Sequence, residues 1–356
     1  MARKHVISLP RKTRDFFAKE TNPKLLIDFA GVKIFESATV DTNILLFAKS
    51  VNEHKTICAA TNKQNKDSVK NLSDFVRQQN SICDFATSDS WVILSPIEQS
   101  IKRKIEAVGT PLKDWDINIY RGVLTGCNEA FIIDSEKRDE ILANCQTEDE
   151  CQRTAELIRP ILRGRDIKRY GYVDNGLYLI NTHNGIRGRI PRIRIEDYPA
   201  VKAHLDQYWD RIATRADKGD TPYNLRNCAY LEDFFKPKIT WGNLNLQGTY
   251  AYAPEGIFIN APSPFIATKN IAILHILNSK IADYYIRSLG VTRNGGYFEY
   301  KPMFVDKLPI PKDGLEELQN FNEQPSTNDE LEVSRIIYQL YGLTSQEIEY
   351  IEGREF

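Results

Sequence analysis

Six cysteines (Cys58, Cys83, Cys127, Cys145, Cys151 and Cys228) are scattered over 356 residues with no CxxC pair, and the five histidines are equally dispersed. That sparseness excludes a disulfide framework and a zinc site as sequence readings, and fits reduced thiols of a cytoplasmic protein. No apolar run approaches the roughly 20 residues a membrane helix needs. Residues 1–10 are basic but lack the apolar core of a signal peptide. A membrane partner is therefore not expected.

Net charge is lacking as well, at −1 for the whole chain, yet it is unevenly spread. Residues 159–238 hold 16 Lys/Arg against 10 Asp/Glu, whereas residues 313–356 hold 2 against 11. A basic middle and an acidic end suit a chain whose middle meets a polyanion. Two domains that simply differ in charge would look the same.

The densest information lies in residues 120–170, which read YRGVLTGCNEAFIID, a charged helical spacer, then IRPILRGRDIKRY. Gly122, Gly126 and Gly164 permit tight turns or close ligand approach. Val123-Leu124 and Phe131-Ile132-Ile133 suit short buried strands. Arg163, Arg165, Lys168 and Arg169 put four cations in seven residues, a candidate phosphate-contacting edge. Taken alone, these features also fit ordinary turns with a solvated basic face. The wording, however, closely resembles the target-recognition domain of TaqI-like adenine-specific DNA methyltransferases and their fused type IIG restriction-modification relatives. There the pattern is roughly G-hydrophobic-x-TG-x-N-x-AF followed by L-x-GRDI-x-x-Y.

Further blocks in family order carry the same resemblance. GVKIFESATVDTNI resembles the last strands of the family's catalytic domain, with apolar runs at 25–29 and 43–47 that read as strands of a buried sheet. A helix is expected from about Ala200 to Arg215, with Val201, Leu205, Tyr208 and Ile212 on one side. An apolar helix is expected over residues 269–289, with its LNSK wording, before GGYFEYKPMFVDKLPIP. Ser95-Pro96-Ile97-Glu98 should open a further helix through a capping box, with Gly109 ending it. The expected fold class is mixed α/β. Residues 1–95 would be the closing strands of a methyltransferase domain plus linker, 96–312 a strand-rich target-recognition domain, and 313–356 an acidic helical tail.

The chain has no Pro-Pro dipeptide and no glycine-rich cofactor loop. An adenine methyltransferase of this family needs an [NDS]-P-P-[YFW] loop to hold the flipped base, and a glycine-rich loop for S-adenosylmethionine. The expectation is that no cofactor binds this chain, that S-adenosylmethionine belongs to the complete enzyme, and that this chain alone methylates nothing. Asp41 with Glu53-His54-Lys55 has passable spacing for a magnesium-dependent nuclease, but Asp41 sits in the block that resembles the methyltransferase sheet.

Base reading in duplex DNA needs Arg, Lys, Asn or Gln at the major groove, while other cations hold phosphate. The candidates are Arg163 and Arg165; Arg187, Arg189, Arg192 and Arg194 in NGIRGRIPRIR; Arg215, Lys218 and Arg226 around a Gly-Asp-Thr-Pro turn; and Arg293 with Asn294. An extended 187–194 loop would put at least two arginines on one side. Arg189 is the expected base reader, with Arg192 and Arg194 on phosphate. Trp241 in its strand is read as core. Double-stranded DNA is the expected partner, together with a catalytic methyltransferase domain or a separate catalytic subunit. In the subunit case the apolar runs at 25–29 and 43–47 would complete the partner's sheet.

Overall fold

The computed structural model describes residues 9–29, 34–35, 42–61, 71–88, 91–290 and 293–354, with only the backbone of residues 79 and 294. Asp41, and with it the nuclease reading, lies outside the described residues. Of the Glu-x-Lys positions in that reading, Glu53 pairs with Lys24 at 2.9 Å. Among the described residues no helix is long and apolar enough to cross a membrane.

The fold is mixed α/β, in two compact units: residues 1–107 with 343–356, and residues 108–342. These limits differ from the expected boundaries. The helix Pro96–Val108 lies in the first unit except for its last residue, and the acidic end is divided, with Thr327–Leu340 in the second unit and Ser345–Glu352 in the first.

The first unit is built on a four-stranded sheet in the order Asn43–Ala48, Asn22–Asp28, Thr56–Ala60, Ser81–Cys83. Asn22–Asp28 is therefore an interior strand, antiparallel to Asn43–Ala48 and parallel to Thr56–Ala60. Of the two expected strands, only Asn43–Ala48 is a sheet edge among the described residues. Alternation then sorts the side chains. Leu26, Cys58, Cys83 and Trp91 pack on one face with Ala18, while Ile27, Phe29, Ala59 and Phe75 pack on the other. On that second face, register aligns Leu46, Leu25, Ile57 and Ile82 in a row across all four strands. Leu46, Ile57 and Ile82 in this row are 57%, 44% and 58% exposed. The capping box forms as the sequence requires. The Ser95 amide donates to Glu98 Oε2 at 2.8 Å and the Glu98 amide to Ser95 Oγ at 3.4 Å, while Ile101 and Ile105 are buried.

The second unit holds two four-stranded sheets. One runs in the order Phe258–Ile259, Ile158–Leu162, Leu177–Ile180, Ile132–Asp134. The other, antiparallel throughout, runs Tyr250–Ala253, Lys238–Trp241, Pro264–Ala267, Ile119–Arg121. They share a core containing Phe131, Leu179, Val201, Leu205, Ile212, Phe234, Phe258 and Phe265. Phe131 ends the short helix Asn128–Phe131, so of the expected run only Ile132 and Ile133 are strand, in Ile132–Asp134. Val123 contributes a single bridge, to Asn260. Trp241 is fully buried and donates to the Tyr300 carbonyl at 2.7 Å, which confirms the core reading.

Two expected helices are each divided. Residues 200–215 form Pro199–Asp206 and Trp209–Thr214, because Tyr208 leaves helical geometry at φ −109°, ψ 16°. Residues 269–289 form Ile271–Leu277 and Lys280–Ser288. Here the cause is in the side chains. Asn278 turns aside to receive the Tyr250 amide at 3.0 Å and to donate to the Tyr250 carbonyl at 2.9 Å, and Ser279 caps the second helix through the Ala282 amide.

Candidate nucleic-acid interface

The strand Leu177–Ile180 runs out at Asn181, and the chain enters the arginine-bearing loop at His183. Extended geometry does not hold there. Ile186 and Ile190 exchange backbone hydrogen bonds at 2.8 and 2.9 Å, and the Arg189 amide donates to the Ile186 carbonyl at 2.9 Å, closing a tight turn. Gly185 adopts φ +70°, and a Cβ there would sit 2.3 Å from the Ile190 carbonyl oxygen, so only glycine fits. Gly188, at φ +75°, forms the tip with nothing within 4 Å of a built Cβ. Arg187 and Arg189 flank that tip and are exposed, as are Arg192 and Arg194.

A second segment anchors the loop. Asn184 donates to Asp220 Oδ1 at 3.1 Å and to Asn227 Oδ1, and receives the Asp220 amide at 2.9 Å. Buried Asn224 donates to the Ile193 carbonyl at 2.9 Å. Loop and anchor line an open crevice of about 650 Å³ that includes Arg187, Arg189, Arg192, Asp220 and Asn227. A smaller cavity of about 250 Å³ adjoins it and shares Asn184, Gly185 and Asn227.

The cations of this region differ in what they face. Arg189 pairs with Glu232, Arg192 with Asp220 at 3.4 Å, and Arg226 with Asp217 at 3.0 Å. Lys218 donates to the Ala213 carbonyl at 2.6 Å. Among the described residues, Arg187 and Arg194 have no side-chain hydrogen bond or ion pair. Each paired guanidinium is held beside a carboxylate that a phosphate could displace, since such pairs are weak when exposed.

Other expected cations turn inward or pair elsewhere. Arg215 is 7% exposed and donates to the carbonyls of Thr125, Pro222 at 3.0 Å and Asn224 at 2.6 Å, so it braces the anchor from beneath and is no surface cation. Burial pulls its pKa down to about 10, which still leaves it charged near neutrality. Arg163 closes on Asp166 through Nε at 3.0 Å and a terminal nitrogen at 3.1 Å, locking the GRD turn. Burial of Asp166 works against its charged form, but Arg163 prevails and holds the carboxyl below its usual range. Arg169 pairs with Glu330 at 2.6 Å, and Lys168 donates to the Arg165 carbonyl at 2.8 Å. Arg165 alone of that tetrad presents an exposed guanidinium with no side-chain partner among the described residues. Arg293 pairs with Glu299 at 2.7 Å and its backbone bonds to Tyr297, separate from the loop's hydrogen bonds. The Asn294 side chain lies outside the described residues.

Sequence reasoning passed over Arg121, Asn181, His183, Asn184 and Asn227, all of which line the cavity. Their signal was faint: Arg121 and Asn181 stand at strand ends, His183 and Asn184 in the polar run that follows, and Asn227 beside Arg226 in the anchor segment. His183 Nδ1 accepts the Gly185 amide at 3.2 Å, and burial lowers its pKa, so the neutral ring carries its proton on Nε2.

Residues 159–310 match the TaqI-like C-terminal specificity domain. Two solved structures are similar to this chain. One is the type IIL restriction-modification enzyme MmeI in complex with DNA, at a TM-score of 0.47 and 10% identity, over 93% of this chain and 45% of that one. The other is the type IIG restriction endonuclease BpuSI, at 0.43 and 11%, over 93% and 45%. The chain thus spans about half the length of either enzyme.

Proposed function

We propose that this chain is the sequence-specific DNA-recognition part of a site-specific adenine DNA methyltransferase or restriction-modification enzyme, with catalysis carried elsewhere. The observation that carries this reading is the arginine loop. Within the segment that matches a specificity domain, a glycine-tipped turn presents Arg187, Arg189 and Arg192 around an open crevice, beside Arg194 and Arg226. Such an edge suits a polyanion, with guanidinium forks for guanine edges and for phosphates. In the complete enzyme its role is to clamp the duplex and select the site, and S-adenosylmethionine is bound by the catalytic part. A fluorescence anisotropy titration of the full chain on duplex DNA tests this. Affinity should fall linearly with salt on a log–log plot, with a slope of about −0.9 per phosphate contacted. Absence of binding at low salt rejects the reading, and micromolar S-adenosylmethionine binding in calorimetry rejects the assignment of the cofactor to another part.

A separately encoded specificity subunit is the second reading, favoured by the exposed row of Leu46, Ile57 and Ile82 on the first unit's sheet. Large open apolar patches usually mark contact surfaces. The gene upstream should then encode the missing catalytic motifs as its own reading frame. Co-purification of that product, lost on Ile57→Lys with Ile82→Lys, supports the subunit; a monomer indifferent to it rejects the subunit.

A further inference from the structure

The smaller cavity has a feature that the arginine loop does not explain. Asn181 lies on its wall and is 4% exposed, yet its carboxamide makes no hydrogen bond with any described residue. An amide on a cavity wall with no protein partner leaves its donor and acceptor to a polar atom from outside. The void, at about 250 Å³, exceeds the cavity of about 150 Å³ that accommodates benzene in an engineered protein. It therefore has room for one planar heterocycle.

The walls suit such a ring. Val123, Leu124 and Phe234 supply apolar surface, and His183 adds a ring N–H donor beside the donor and acceptor of Asn181. Exposed Arg121, which has no ion pair among the described residues, lines the same cavity. Flat apolar faces, a hydrogen-bonding edge and an attached anion are what a nucleotide presents. The shared residues Asn184, Gly185 and Asn227 connect the space to the arginine crevice. We propose that this cavity receives one unstacked nucleobase from the bound DNA, with Asn181 and His183 on its edge and Arg121 on the neighbouring phosphate. The proposal rests on the DNA-recognition reading above. An amide matches the adenine N6/N7 edge, and extrusion costs least for a base already unpaired.

The test needs no knowledge of the recognised sequence. Affinity of the full chain is measured for a paired duplex, the same duplex with one unpaired adenine, and one with an abasic residue in that bulge. The adenine bulge should bind on the order of tenfold tighter than the other two, in line with the worth of one base stacked in a pocket. Asn181→Ala should erase that preference while leaving salt-dependent binding to the paired duplex. Ala229→Trp, at an exposed position on the cavity rim, should do the same by filling the space, and keeps the test valid if Asn181→Ala fails to fold. Equal affinity for all three duplexes overturns the base receptor and leaves DNA recognition standing. No binding to any duplex overturns both. Adenosine binding in equilibrium dialysis without a bulge preference overturns the strand-borne source in favour of a soluble nucleoside.

Discussion

The guanidinium of Arg215 lies 4.2 Å from the centre of the Phe131 ring, inside the core of the second unit. Three backbone carbonyls take its N–H groups, so the charge serves the fold of the anchor segment. Arg215→Met should destabilise the chain by on the order of 3 kcal/mol in urea denaturation, because carbonyl acceptors are left without donors. A loss below about 1 kcal/mol would contradict a bracing role.

The exposed arginines should act quite differently. Arg187→Ala and Arg194→Ala should leave stability unchanged and each lower the salt slope of DNA binding by about one unit if they hold phosphates. Arg189→Ala should cost roughly 1–3 kcal/mol on the recognised site, with little change on scrambled DNA, if it reads a guanine. Glu232→Gln releases Arg189 from its carboxylate and should strengthen binding to both duplexes. Variants that all match the parent would make the loop solvated surface.

Lys238 is fully buried at the first position of an interior strand, with one acceptor, the Ile257 carbonyl at 2.9 Å. Burial lowers its pKa from 10.5 to about 8. Between those values the unfolded chain binds the extra proton, so stability rises with pH from about 8 to about 10.5. A displacement of that size corresponds to about 3 kcal/mol. Lys238→Met should be more stable than the parent at pH 7 and lack that rise, as read from urea midpoints across the range. A parallel pH profile in the variant would place the proton elsewhere.

Glu347 in the first unit shows the opposite sign. Burial pushes its carboxyl up, but Lys104 at 2.7 Å, the Thr344 amide at 2.7 Å and Ser100 at 2.7 Å hold it down, from 4.5 to about 2. The stabilisation is therefore complete above about pH 4.5 and fades as pH falls toward 2. Glu347→Gln should weaken the first unit at pH 7 and flatten its acid limb over that window. An unchanged acid limb would remove Glu347 from the account of acid unfolding.

Signals that depend on near neighbours were legible in the chain itself. The Ser95–Glu98 capping box, the strands at Asn22–Asp28 and Asn43–Ala48, and the burial of Trp241 all follow from short-range spacing and side-chain type. The mixed α/β class and the specificity-domain match were likewise carried by local wording. What a helix does when a distant backbone offers a better partner was not legible. Asn278 breaks its helix for Tyr250, 28 residues away. Nor could composition tell which arginines face solvent. Arg163 and Arg215 count equally with Arg187 in the basic balance, yet one is locked on Asp166 and the other buried beneath carbonyls that include Thr125, 90 residues away. The sequence by itself determined where turns, caps and cations occur, since these follow from backbone sterics and adjacent groups. The tertiary structure alone decided which cations are outside, which strand is an edge, and that Asn181 opens on a cavity, because each depends on contacts that exist only after remote segments meet.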